Sequence, residues 1–136
     1  MENLRARTSE MNQDTRARNS LVIVVDDDDA VRNSLKFSLE IEGFAVRLYA
    51  RGSELLDAPD VADCACLVID QNMPGLSGLE TLNKLRERNV TVPAILITGH
   101  PNSMLLARAQ GAGVNIIEKP LYGNALIDGI RGVIKH

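Results

Sequence analysis

Aromatic side chains are scarce in this sequence: two Tyr, two Phe and no Trp, 3% of 136 residues. A core built from it has to be aliphatic, and the stacking platforms that hold single-stranded nucleic acid are missing. Cysteine is as rare. Cys64 and Cys66 stand two apart, a spacing that places both on one face of a strand and leaves no ordinary disulfide geometry between them. They read as small buried thiols of a reducing compartment. The only histidines are His100 and His136, so a thiolate–imidazole metal site lacks ligands. No apolar run approaches the ~18 residues needed to cross a bilayer. The opening stretch, MENLRARTSEMNQDTRARNS, has no apolar segment of the secretory kind. The expected location is therefore the cytoplasm, without membrane contact.

What is present is ordinary in amount and informative in order. Hydrophobic residues make up 45% and charged residues 24%, as in a soluble domain large enough to fold without staples. The net charge is −3. The first twenty residues carry four Arg against Glu2, Glu10 and Asp14, so the remainder is the more acidic part. Direct grip on a phosphate backbone is not expected from it. We read residues 1–19 as a polar tail and 20–136 as one folded domain.

From residue 21 short apolar runs alternate with amphipathic stretches. Leu21-Val22-Ile23-Val24-Val25 is unbroken and β-branched, which predicts a strand buried on both faces. Residues 29–42 follow as a helix, with Val31, Leu35, Phe37, Leu39 and Ile41 assigned to the inner side and Arg32, Lys36 and Glu40 to the outer. Gly43 stops it. Further strands are expected at 45–49, 65–69, 94–97 and 114–117. Helices are expected at 53–57, from Ser77 to Arg88, from Asn102 or Ser103 to Gln110, and from Tyr122 to Ile134. Five such βα units imply a parallel sheet covered on both faces, with right-handed crossovers.

Each apolar strand but the second ends in a polar group with chemistry. After the first stand Asp26 to Asp29, after the third Asp70, after the fourth Thr98 and after the fifth Lys119. Ligands of open α/β sheets bind at that edge. Taken singly each has a plain alternative: acids at a helix start complement its dipole, Asp70 and Thr98 suit turns, and Lys119 suits a surface. Jointly they form a set. Clustered carboxylates repel unless a cation intervenes, and hard oxygen ligands suit Mg²⁺. A carboxylate attacks phosphorus, and Lys and Thr hold phosphoryl oxygens.

The stretches VIVVDDDDAVRNSL, LVIDQNMPGLSGLE, ILITGH and IIEKP resemble, in order, the signature blocks of response-regulator receiver domains of two-component signalling, the CheY-like superfamily. The resemblance covers roughly residues 20–135. It implies a flavodoxin-like (βα)5 three-layer sandwich with strand order 2-1-3-4-5. It makes Asp70 the phosphoacceptor and Asp26 and Asp27 the acidic pair, with Asp27 on Mg²⁺ directly and Asp26 mainly through water. Asn72 would give its backbone carbonyl to the metal. Thr98 and Lys119 would take phosphoryl oxygens, and the Lys119–Pro120 bond would be cis. Asp28 and Asp29 would start the first helix. The implied partners are a sensor histidine kinase or phosphotransfer protein of a phosphorelay and an output domain or target protein, with homodimerisation left open. The chain would be a signalling switch that catalyses its own phosphorylation and dephosphorylation and no metabolic turnover.

This chain departs from the family pattern at Ile116, where receivers usually carry a switch aromatic. It departs also in a shortened segment with Pro101 after Thr98, and at Leu121, where an aromatic is frequent. Three other readings are distinguishable by experiment: a receiver that is never phosphorylated and serves as an interaction module, a haloacid-dehalogenase-type phosphatase using Asp26 and Asp28, and a flavin-binding module. The phosphatase leaves Asp70 without a role. In the flavin module, four carboxylates would repel the ligand's phosphate.

Overall fold

Five apolar runs pair as a parallel sheet in the order β2-β1-β3-β4-β5, the order that the resemblance implies. The computed structural model describes residues 20–121 and 123–134, so the tail at 1–19 and Tyr122 lie outside the described residues. In chain order the elements are β1 (Leu21–Val25), α1 (Asp29–Ile41), β2 (Ala45–Tyr49), α2 (Gly52–Leu56), a single 3₁₀ turn (Val61–Asp63), β3 (Cys66–Asp70), α3 (Gly78–Glu87), β4 (Ala94–Thr98), α4 (Ser103–Gly111), β5 (Asn115–Glu118) and α5 (Ala125–Ile134).

The central strands β1, β3 and β4 are buried on both faces because nearly all their residues are aliphatic, and alternate residues serve opposite layers. Ile23, Val25, Leu67, Ile69 and Leu96 face one layer, packed with Leu55, Leu79, Leu82, Leu85 and Leu105 from α2, α3 and α4. Val22, Val24, Val68, Ile95 and Ile97 face the other, against Leu35 and Leu39 of α1 and Leu126 and Ile130 of α5. Full burial of each such side chain contributes about 1.5–3 kcal/mol, a term that few aromatics are needed to supply.

Three local expectations are corrected. Phe37 and Ile41 are 67% and 65% exposed. Positions two and six beyond Leu35 lie about 200° and 240° round the helix at 100° per residue, so only Val31, Leu35 and Leu39 form the inward stripe. Arg32, assigned to the outer face, is tucked in instead, with its side chain 14% exposed. Cys64 and Cys66 do not share a face: Cys64 precedes β3 and joins the α2–α4 layer, whereas Cys66 joins the α1–α5 layer. Strand alternation applies only within the strand. Burial holds both thiols protonated, their pKa values pushed up to about 12.

Helix starts follow the side-chain capping rule. Asp28 caps α1 by accepting from the N–H groups of Ala30 and Val31 at 2.9 and 3.2 Å. Ser77 and Glu80 form a reciprocal capping box on α3, and Asn102 Oδ1 accepts from Leu105 N–H on α4. Gly78 has a steric reason to be glycine. A Cβ there would stand 2.6 Å from the Asp70 carbonyl oxygen and 2.6 Å from Leu96 Cδ1, so α3 begins against the end of β3.

Candidate functional site

The carboxyl ends of β1, β3, β4 and β5 lie side by side because the strands are parallel and in register. Val25 is opposite Ile69, Asp70 opposite Ile97, and Thr98 opposite Glu118. The polar residue at or just after each end is therefore delivered to one edge. Asp26, Asp27 and Asp70 each bring a carboxylate oxygen within 4.8 Å of the others. Asp26 and Asp70 are buried, at 2% and 5% exposed, and Asp27 is open to solvent.

Lys119 reaches into this cluster. Its Nζ lies 3.2 Å from Asp26 Oδ2 and 3.4 Å from Asp70 Oδ1. The Lys119–Pro120 peptide is cis, as the resemblance implies, and the Lys119 N–H donates to the Thr98 carbonyl at 2.8 Å. Burial and the neighbouring Asp26 charge raise the pKa of Asp70 above its ordinary value, although Lys119 and the Asn72 N–H work against that rise. Desolvation by burial lowers the Lys119 value, but Asp70 and Asp26 outweigh it and the net shift is upward. One ammonium between two buried carboxylates, with a third alongside, leaves an excess of negative charge on hard oxygen donors. That donor set fits a divalent cation such as Mg²⁺.

Asn72 and Thr98 complete the edge. The Asn72 N–H donates to Asp70 Oδ1 at 3.3 Å, and its side-chain Nδ2 donates to Thr98 Oγ1 at 3.2 Å. Thr98 is fully buried at the end of β4. All six residues singled out in the sequence, Asp26, Asp27, Asp70, Asn72, Thr98 and Lys119, therefore come to one edge of the sheet.

Sequence reasoning missed the supports. Arg32 Nη1 donates to the Asp26 carbonyl at 2.5 Å and the same guanidinium pairs with Asp29, which ties α1 to the acidic loop. Its place one turn after the Asp run was the available signal. The Asp28 N–H donates to Asp26 Oδ1 at 2.9 Å. Gln71 Oε1 accepts from Leu79 N–H at 2.9 Å and fixes the β3–α3 loop on its helix. His100 N–H donates to Thr98 Oγ1 at 3.1 Å.

The model of the response regulator receiver domain family matches residues 22–131. The chain belongs to that family. Among relatives of this receiver, the transcriptional regulatory protein FixJ of Azorhizobium caulinodans is 42% identical over 111 residues, covering 81% of this chain and 53% of that protein. The C4-dicarboxylate transport transcriptional regulatory protein DctR of Rhodobacter capsulatus is 37% identical over 110 residues, covering 79% and 56%. The receiver thus spans about half the length of the curated relatives it matches. The crystal structure of FixJ-N superposes with a TM-score of 0.76 at 35% identity, covering 87% of this chain and 95% of that one. The response regulator StyR gives 0.79 at 34% identity, covering 86% and 60%. The Vibrio cholerae chemotaxis regulator CheY4, at 23% identity and 0.76, supports the fold alone. Receivers of this family work in two-component signalling with histidine kinases and output domains, and they bind Mg²⁺ at an acidic pocket of the kind described here.

Proposed function

We propose that Asp70 takes a phosphoryl group from a phosphohistidine of a sensor kinase or phosphotransfer protein, in the presence of Mg²⁺, and that the modified residue switches the output surface of the receiver. The observation that carries this reading is the convergence of Asp26, Asp27 and Asp70 within 4.8 Å, with Lys119 in contact with two of them.

The roles follow from position. A carboxylate oxygen of Asp70 attacks phosphorus, the phosphorus–nitrogen bond breaks, and the imidazole of the donor leaves and takes up a proton. Asp27 and Asp70 would hold Mg²⁺ directly, Asp26 mainly through water, and Asn72 by its backbone carbonyl. Bound there, the ion offsets charge on the transferring group. Lys119 exchanges one carboxylate partner for a phosphoryl oxygen as Asp70 becomes an acyl phosphate. Thr98 donates its hydroxyl to another. Hydrolysis of the acyl phosphate by water restores Asp70. The receiver catalyses these two reactions on itself and turns over no metabolite.

Added charge on Asp70 biases a two-state equilibrium of the surface formed by α4, β5 and α5. Ile116, on β5, takes the place of the family's usual aromatic, so the movement of Thr98 is transmitted here without a swinging ring. Among the described residues no helix is long and apolar enough to cross a membrane. The protein is proposed to act in the cytoplasm on an output domain or target protein, with residues 1–19 as a separate polar tail.

Incubation with acetyl phosphate and Mg²⁺, followed by intact mass measurement, tests the assignment. One acid-stable, base-labile phosphoryl group is expected on the wild type and none on Asp70→Asn. Full labelling of Asp70→Asn would refute the assignment. Steady turnover of a phosphate ester would support the phosphatase reading, and a wild type that takes no label would support the plain interaction module.

A further inference from the structure

Thr98 Oγ1 accepts two hydrogen bonds, one from Asn72 Nδ2 at 3.2 Å and one from His100 N–H at 3.1 Å. A hydroxyl has two acceptor lone pairs and one proton, so its accepting capacity is filled. The two donors differ in kind. His100 follows Thr98 by two residues and moves with the end of β4. Asn72 belongs to the loop after β3, 26 residues earlier in the chain. Its backbone N–H is bonded to Asp70 Oδ1 at 3.3 Å. A single exposed residue thus links the carboxylate of Asp70, through its backbone, to the buried hydroxyl of Thr98, through its side chain.

We infer that the Asn72 carboxamide is a positioning residue that holds the Thr98 hydroxyl in the unphosphorylated arrangement and releases it when Thr98 turns to a phosphoryl group on Asp70. The inference rests on the proposed role of Asp70. A contact made in one of two states and lost in the other favours the first by the whole worth of that contact. Asn72 therefore opposes the switch, and its side chain sets how readily the receiver takes the phosphorylated conformation. The metal contact proposed for Asn72 uses the backbone carbonyl, which a side-chain substitution retains. Because Asn72 is exposed, its replacement leaves the core intact.

The test is a double-mutant cycle with Asn72→Leu, which keeps the bulk and removes the donor, and Thr98→Val, which keeps the shape and removes the acceptor. The readout is affinity for beryllofluoride with Mg²⁺, a mimic of the acyl phosphate, followed by nuclear magnetic resonance of the methyl groups. Asn72→Leu is expected to bind the mimic about two- to fivefold tighter than the wild type, the lower range for loss of one neutral hydrogen bond at an exposed donor. Its free-state Thr98 methyl signal should shift toward the bound position. In the Thr98→Val background the same substitution should change nothing. Unchanged or weakened binding in Asn72→Leu, or an equal gain in both backgrounds, would overturn the inference. In the protein without mimic, the Asn72 side-chain amide signals should move on Thr98→Val, and unmoved signals would also overturn it. Failure of the wild type to bind the mimic, with those amide signals still responsive to Thr98→Val, would overturn the reading of Asp70 as phosphoacceptor and the switching role built on it, leaving the hydrogen bond itself demonstrated.

Discussion

Lys119 Nζ lies 3.2 Å from Asp26 Oδ2, joining the ends of β5 and β1 across 93 residues of sequence. The two strands are separated in the sheet by β3 and β4, so the contact spans the acidic edge. Without the ammonium, Asp26 and Asp70 are buried carboxylates facing each other uncompensated. Lys119→Met should lower stability by about 1–3 kcal/mol in urea unfolding at pH 7, below the range for a fully buried pair because the lysine is partly exposed. The pKa of Lys119 is raised in the folded state. Its contribution is therefore complete below the ordinary lysine value of 10.5 and lost as pH climbs through the higher folded value. The stability gap between mutant and wild type should close in that alkaline window. A gap that stays constant there would contradict the ion-pair account.

Asp70 should trade stability for reactivity. Its folded pKa is raised, first by burial and then by Asp26, so the folded chain holds the proton more tightly than the unfolded chain. Stability consequently falls as pH rises from the ordinary value of 3.8 through the folded value, and the loss is complete above it. Asp70→Asn removes the charge without the shape. At pH 7 its melting temperature should exceed that of the wild type, and the difference should shrink as pH falls through the folded value and toward the ordinary 3.8. A lower melting temperature for Asp70→Asn at pH 7 would contradict the direction of this shift.

Divalent cation should reverse part of that cost. Mg²⁺ at 100 times its dissociation constant is expected to add about 2.7 kcal/mol to wild-type stability, visible as a higher melting temperature. Asp27 is exposed, so Asp27→Asn should fold normally yet bind Mg²⁺ about tenfold or more weakly. Titration calorimetry on the two proteins checks this. Equal affinities would remove Asp27 from the metal site.

Two glycines separate folding from site geometry. Gly78→Ala would press a Cβ on the Asp70 carbonyl and on Leu96, both at 2.6 Å. Gly52→Ala would press one on Thr81 alone, with no atom of the acidic cluster among its nearest neighbours. Each should cost about 1–3 kcal/mol by overpacking. Only Gly78→Ala should also slow labelling by acetyl phosphate, measured under conditions where both variants are fully folded. Equal slowing in both would mean that loss of rate follows loss of stability.

Much of this receiver was legible residue by residue. Unbroken runs such as Leu21–Val25 and Ala94–Ile97 announce buried parallel strands, because only a sheet covered on both faces can use so many consecutive aliphatic side chains. Asp26, Asp70, Thr98 and Lys119 each follow or end such a run, and parallel order alone sends them to a common edge. Phe37 and Ile41 face solvent because angular position, and not apolar character alone, decides which side of a helix is inward. Cys64 escapes the alternation because it precedes the first residue of β3.

The identity of the reactive groups and the edge on which they collect were thus written in the linear order of residues, since strand ends are set by local polarity and parallel pairing by the intervening helices. Which atom meets which was settled by packing in three dimensions. The bonds from Lys119 to Asp26, from Asn72 to Thr98 and from Arg32 to the Asp26 carbonyl depend on the strand register and on how α1 and the β3–α3 loop seat against the sheet. Hydrogen bonds are made over tenths of an ångström, and no periodicity along a chain specifies a position that finely.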